Sequence, residues 1–237
     1  MTLIRSILFM IVFYAWSTFA ALCMTPLLLC PRRWTVVAIG VWARVTMALL
    51  RAVCGVRVEV RGREHMPKGS ALIAAKHQCM FDTIAPFTFL PDMAFVLKKE
   101  LLVIPFYGWY ALKGGMIVVD REGHAKALKK LVADTRDRLK EERQVVIFPE
   151  GTRGLPGAEP DYKPGVAALY RELGLPCHPG ATNSGVHWPA KGLIRRPGVI
   201  VFEFLEPIPA GLKRAAFMQE LQARIETASD GLLVEGL

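Results

Sequence analysis

From Ser6 to Pro31 the chain runs SILFMIVFYAWSTFAALCMTPLLLCP without a single charged residue. Read as a helix as far as Pro26, the run is about 20 residues or more, enough to cross ~30 Å of hydrocarbon. Arg5 precedes it and Arg32 and Arg33 follow it, so the excess of positive charge that marks a cytoplasmic loop gives no clean orientation. A second apolar segment, WTVVAIGVWARVTMALLRAVCG from Trp34 to Gly55, carries Arg44 and Arg51. That pattern suits a helix lying in the interface, with arginines reaching toward headgroups, better than a full span. A hairpin dipping into one leaflet and a single span followed by an interfacial helix both stay open, and either predicts a membrane-bound chain. A cleaved secretion signal fits poorly: the apolar core is too long, and a second apolar segment follows directly. Residues 1–55 are therefore expected to form membrane-anchoring helices, and 56–237 a globular domain.

After Gly55 the texture changes. VRVEVRG (56–62) alternates apolar and polar positions, as a half-buried strand does. ALIAA (71–75), AFVLK (94–98), MIVVD (116–120), VVIFP (145–149) and VIVFEF (199–204) are short, apolar and bounded by Pro, Gly or charge. Helix-length segments separate them. In 123–143, Leu128, Leu131, Val132, Thr135 and Leu139 mark one face and charged residues fill the rest. An amphipathic segment at 212–228 predicts a closing helix. Strands alternating with helices predict an α/β fold, a mostly parallel central sheet flanked by helices and preceded by the two-helix membrane element. No internal repeat or low-complexity tract interrupts it.

Composition sharpens the picture. The chain is 52% hydrophobic, and 30 Lys+Arg against 21 Asp+Glu give a formal charge of +9. Such a balance suits nucleic acid, an anionic membrane surface or a phosphorylated substrate. High hydropathy favours the membrane, and the absence of basic clusters interleaved with aromatics argues against nucleic acid. The five cysteines are odd in number and scattered with no C-x-x-C pair, which fits reduced thiols and neither a disulfide framework nor a metal site.

Three polar clusters fall where strands should end, the place where ligands gather in such folds. KHQCMFDT (76–83) follows ALIAA, Asp120 and Arg121 follow MIVV, and FPEGTR (148–153) opens a Gly/Pro-rich loop that runs to Lys163. A histidine that activates a hydroxyl needs an acceptor on its far nitrogen, to hold the tautomer and stabilise the imidazolium. Asp82 lies five residues after His77, a spacing that puts the two on different faces of a continuous helix. With His77 in the loop and Asp82 in the first helical turn they can meet. No other histidine has an aspartate at that offset. A capping aspartate beside a structural histidine explains the same pattern. In FPEGTR, Arg153 offers planar, multi-point donation to a phosphate, Gly151 permits close backbone approach, and Glu150 accepts from a substrate hydroxyl or orients Arg153. A tight turn with a solvated salt bridge is the alternative.

The ordered set KHQCMFD, KKELLVIPFYGW with GGMIVVDR, FPEGTR and the proline-flanked strand LPCHPGATNSG resembles the four blocks of the glycerolipid acyltransferase family, in particular its bacterial 1-acylglycerol-3-phosphate acyltransferases, over about residues 56–205. The resemblance implies that His77 is the general base and Asp82 its partner. It implies that Glu150, Gly151, Thr152 and Arg153, with Lys163 at the end of their loop, belong to the acceptor site. Lys98, Glu100, Pro105, Gly108, Asp120 and Arg121 match the block assigned to acceptor binding and active-site structure. Two positions depart from the family habit: Lys76 stands for Asn and Cys79 for Ser. The implied reaction moves an acyl group from acyl-CoA or acyl carrier protein to the free hydroxyl of lysophosphatidic acid, giving phosphatidic acid. It needs no cofactor, metal or acyl-enzyme. Membrane lipids would be the other partners, at the cytoplasmic face of a bacterial inner membrane. Rival readings are a thioesterase or covalent acyltransferase built on Cys79, a weaker nucleophile at Ser184, an acyltransferase for another lyso-lipid, such as a lyso-ornithine lipid or a lysophospholipid with a full headgroup, and a non-catalytic lipid-binding protein.

Overall fold

The computed structural model describes residues 1–120 and 123–236. Helix α1, Thr2–Met24, passes into a 3-10 turn, Thr25–Leu29, where Pro26 removes the donor an α-helix would need. Helix α2, Arg32–Cys54, ends on Gly55 at φ 71°, a left-handed cap that glycine adopts without strain. Both helices are long and apolar enough to cross a membrane. They do not stand apart from the rest. Phe9, Phe13 and Leu50 share a core with Phe81, Ile84, Trp188 and Ile200, and Phe9 meets Trp188 edge-on at 5.4 Å. Arg32 grips both carboxylate oxygens of Asp92 at 2.8 and 2.7 Å.

Among the described residues, seven strands follow: β1 Val56–Arg61, β2 Ala71–Ala75, β3 Met93–Lys98, β4 Ile117–Val119, β5 Gln144–Ile147, β6 Cys177–Thr182 and β7 Gly198–Phe204. They form one sheet in the order β1-β7-β6-β2-β5-β3-β4. Every neighbouring pair is parallel except β6 with β7, so the mostly parallel α/β sheet expected from the sequence is the one found. Strand β2 is buried at all five positions, as a central strand covered on both faces must be.

The remaining helices are α3 Tyr107–Lys113, α4 His124–Lys140, α5 Gly165–Leu173, α6 Ser184–His187 and α7 Arg214–Gly236. In α4, Leu131, Thr135 and Leu139 are buried as their spacing predicts, whereas Leu128 is exposed. Helix α7 continues past the expected end at 228, because Leu232 still packs on Ala181 and Val201.

Strands β2, β5, β3 and β4 are parallel neighbours, so their carboxyl ends lie along one edge of the sheet. The segments leaving that edge begin at Lys76, Phe148, Lys99 and Asp120. At ~4.8 Å per strand, the β4 end lies about 14 Å from the β2 end.

Candidate functional site

Beyond Ala75 the strand pairing persists for one more residue, as Lys76 N–H donates to Gly180 O at 2.8 Å. The chain then turns at Cys79, which caps a 3-10 helix, Met80–Thr83. Asp82 is fully buried in that turn. Its Oδ2 faces His77 Nδ1 at 3.1 Å and accepts the backbone N–H groups of Gln78 at 2.6 Å and Cys79 at 2.8 Å. The two readings of H-x-x-x-x-D therefore coincide, because one carboxylate oxygen caps the turn and holds the histidine. A carboxylate on Nδ1 selects the tautomer with its proton there and leaves Nε2 as the basic nitrogen. The imidazole stacks on Phe148, with ring centroids 4.1 Å apart and planes at 18°. Its backbone is pinned as well: His77 N–H donates to Glu150 Oε2 at 3.1 Å, and Gly154 N–H donates to His77 O at 2.8 Å.

Gly151, at φ 66°, makes the sharp turn that swings FPEGTR back over the β2 end. Glu150 does not reach outward. It is 5% exposed, and its Oε1 meets Lys76 Nζ at 2.5 Å. The Lys76 ammonium also meets both oxygens of Glu226 on α7, at 2.9 and 2.7 Å, and Tyr162 OH donates to Glu226 at 2.8 Å. Burial pulls Lys76 toward neutrality, but the two carboxylates more than offset it and hold its pKa above the ordinary lysine value. Burial raises the pKa of Glu150, and Lys76 only partly counteracts that. The expectation that Glu150 orients Arg153 is thus replaced: its oxygens hold Lys76 and the His77 backbone. Glu226 and Tyr162 escaped sequence reading, since only the tertiary fold brings α7 to the β2 end.

Thr152 and Arg153 are exposed at the mouth of the same turn. A cleft beside them is lined by Lys76, Glu150, Thr152 and Gly154. Lys98, the last residue of β3, and Glu100, in the 3-10 turn after it, are exposed on the same sheet edge. Asp120, just past β4, pairs with Lys99 at 2.8 Å. Lys163 pairs with Asp161 at the surface, and its N–H donates to Pro149 O at 2.7 Å, closing the loop that begins at FPEGTR. Arg121 lies outside the described residues. The structure thus joins His77, Asp82 and Glu150 directly, sets Gly151, Thr152 and Arg153 next to them, and spreads Lys98, Glu100 and Asp120 along the neighbouring strand ends.

Cys79 is a poor nucleophile here. It is fully buried with Sγ 3.4 Å from Ser184 Oγ, and burial together with the Asp82 charge pushes its thiol pKa up. Ser184 is itself fully buried. Among the described residues, no group of three His, Cys, Asp or Glu side chains is placed to hold a metal ion.

Residues 57–183 match the family model described as Acyltransferase. A 1-acyl-sn-glycerol-3-phosphate acyltransferase of Pseudomonas aeruginosa is 40% identical over 159 residues, 67% of this chain and 62% of that protein. A protein of the same name from Helicobacter pylori is 29% identical over 181 residues, 74% of each. The match to the Pseudomonas protein therefore spans less than two thirds of that relative's length. The crystal structure of PlsC, a 1-acyl-sn-glycerophosphate (LPA) acyltransferase from Thermotoga maritima, superposes with a TM-score of 0.80 over 98% of both chains at 22% identity, a likeness of fold. With the family model covering more than half of its length and a relative at 40% identity, this chain belongs to the acyltransferase family.

Proposed function

We propose that the protein transfers an acyl group from a thioester to the free sn-2 hydroxyl of 1-acylglycerol-3-phosphate, giving phosphatidic acid. The observation that carries this reading is a His77 ring held through Nδ1 by a buried aspartate at 3.1 Å, one strand away from the exposed Arg153. His77 Nε2 takes the hydroxyl proton as the oxygen attacks the thioester carbonyl. Asp82 stabilises the imidazolium, as a buried anion beside a developing cation does. Collapse of the tetrahedral intermediate breaks the C–S bond, and the imidazolium returns its proton to the departing thiolate. The fixed tautomer, the Phe148 stack and the two backbone anchors of His77 keep the ring in place throughout, so little reorganisation accompanies proton transfer.

Arg153 is assigned to the acceptor phosphate, with Gly151 and Thr152 of the same turn close by. Lys98, Glu100, Asp120, Arg121 and Lys163 are assigned to the surrounding acceptor surface. The donor is acyl-CoA or acyl carrier protein, and the +9 charge suits an acidic carrier and an anionic bilayer alike. Helices α1 and α2 would hold the catalytic edge at a bacterial inner membrane, on the cytoplasmic face, where one substrate and the product reside.

Arg153→Ala tests the assignment. Loss of a charge-assisted phosphate contact should raise KM for lysophosphatidic acid about tenfold or more while leaving kcat within a few-fold. An unchanged KM would remove the phosphate from Arg153 and favour a different lyso-lipid acceptor.

A further inference from the structure

The segment between β3 and β4 turns its apolar side chains outward. Val103 is 83% exposed, Leu112 57% and Trp109 51%, and Ile104 and Tyr107 are exposed beside them. These five apolar groups fall within residues 103–112, whereas Leu101 and Leu102 of the same segment pack on the core and Gly108 and Ala111 face inward.

The backbone enforces the arrangement. Phe106 sits at φ 62°, ψ −51°, and Tyr107 N–H donates to Pro105 O at 2.7 Å. That is the rare γ-turn with a left-handed central residue, strained for any side chain but glycine. Gly108 lets the turn close, since a Cβ there would stand 2.0 Å from Leu102 O. A strained turn that presents five large apolar groups to solvent has no folding advantage in water.

The patch is continuous with the apolar hairpin. Tyr110 OH donates to Ala21 O at 2.8 Å, and α3 packs on α2 and on the Thr25–Leu29 turn. At that end of the hairpin, Leu29, Trp34 and Arg33 are exposed, with Arg33 over the Trp34 ring at 5.8 Å. Aromatic groups mixed with cations are the composition of a bilayer interface. On its other side the patch leaves the carboxyl end of β3, which pairs in parallel with β5, and the loop that follows β5 carries Arg153, whose charge acts on the Tyr107 hydroxyl.

We infer that residues 103–112 are a second lipid-inserted element, a lip that joins the hairpin to the acceptor site and sets Arg153 at headgroup depth. A lyso-lipid then reaches Arg153 with its chain still in the acyl layer beside Trp109 and Leu112. The inference rests on the membrane-bound acyltransferase reading and adds the surface by which the acceptor arrives.

The full chain, bound to phosphatidylethanolamine and phosphatidylglycerol vesicles carrying dibrominated acyl chains, provides the test. Trp109→Phe and Trp34→Phe are compared with the parent by fluorescence quenching. Both substitutions should remove part of the bromolipid-quenched emission. If Trp34→Phe removes it and Trp109→Phe does not, the hairpin is in the bilayer and the lip is not, which overturns the inference. Quenching of neither would overturn it together with the membrane reading. Activity supplies the second arm, with Val103→Asp and Leu112→Asp assayed on a long-chain acceptor in vesicles and on a water-soluble short-chain one. A KM rise of about tenfold or more confined to the vesicle acceptor is expected. Equal effects on both acceptors would contradict the lip, whereas no turnover of either acceptor by the parent protein would count against the acyltransferase reading while leaving the quenching result to stand.

Discussion

Asp82 meets three donors with one oxygen, and each comes from a residue three to five positions earlier. That locality is why the pair was legible in the sequence: the capping turn that orients Asp82 is the same short segment that holds His77. Asp82→Asn keeps an acceptor for the turn but removes the charge that stabilises an imidazolium. It should lower kcat at least about a hundredfold with little change in KM, and steady-state kinetics on the folded variant checks this. Lys76 is the opposite case. Its partner Glu226 lies 150 residues away, and nothing in the local pattern announces it. Lys76→Met leaves Glu150 and Glu226 without their cation and should destabilise the protein by about 3–5 kcal/mol, read from denaturant midpoints in detergent. The pH dependence has a definite sign. Because the folded-state pKa of Lys76 is raised, its contribution is full below the ordinary lysine value and disappears as pH climbs through the higher folded value. The parent should therefore lose stability in strong alkali by a component that Lys76→Met lacks, and parallel alkaline profiles would contradict the ion-pair account.

At the scale of elements, the strands were readable because buried parallel strands are short apolar runs between breakers. The short helices were not: α3 and α6 span seven and four residues, too few for a helical period to show. Arg143 explains another gap. It reads as a charged residue at a helix end, yet it is fully buried. Its guanidinium donates to Gly114 O, Gly115 O and Met93 O and meets Asp92 at 3.1 Å. One side chain thus ties the start of β5 to β3, to the end of α3 and, through Asp92, to Arg32 on α2. Burial lowers its pKa, with Asp92 opposing that. Arg143→Met would take the Arg143 donors from Gly114 O and Met93 O and the cation from Asp92, while Gly115 O keeps Arg138 Nε at 2.8 Å, and should cost about 3–5 kcal/mol. A thermal shift in detergent tests this, and a loss below 1 kcal/mol would show that α3 is held by other contacts.

For the whole molecule, the sequence suggested an anchor followed by a globular domain, and the structure gives the two a common core. Phe81 and Ile84, in the segment that carries Asp82, pack in the same cluster as Phe9, Phe13 and Leu50 of the hairpin. The turn that orients His77 therefore leans on the helices proposed to sit in lipid. This coupling was not legible, because apolar runs reveal that a helix wants burial and not whether lipid or protein supplies it. The same packing fixes the segment that follows His77, through Cys79, Phe81, Ile84 and Ala85, on the hairpin, so under the proposed function the site and the anchor would approach the lipid together.

The most direct measurement of the central claim is thiol release from palmitoyl-CoA by the vesicle-bound protein, with and without 1-acylglycerol-3-phosphate, beside a His77→Ala control. Release should require the acceptor, match phosphatidic acid formed one for one, and fall by about a hundredfold to ten-thousandfold in His77→Ala. Release that continues without acceptor, or that survives His77→Ala, would contradict a direct transfer driven by this histidine.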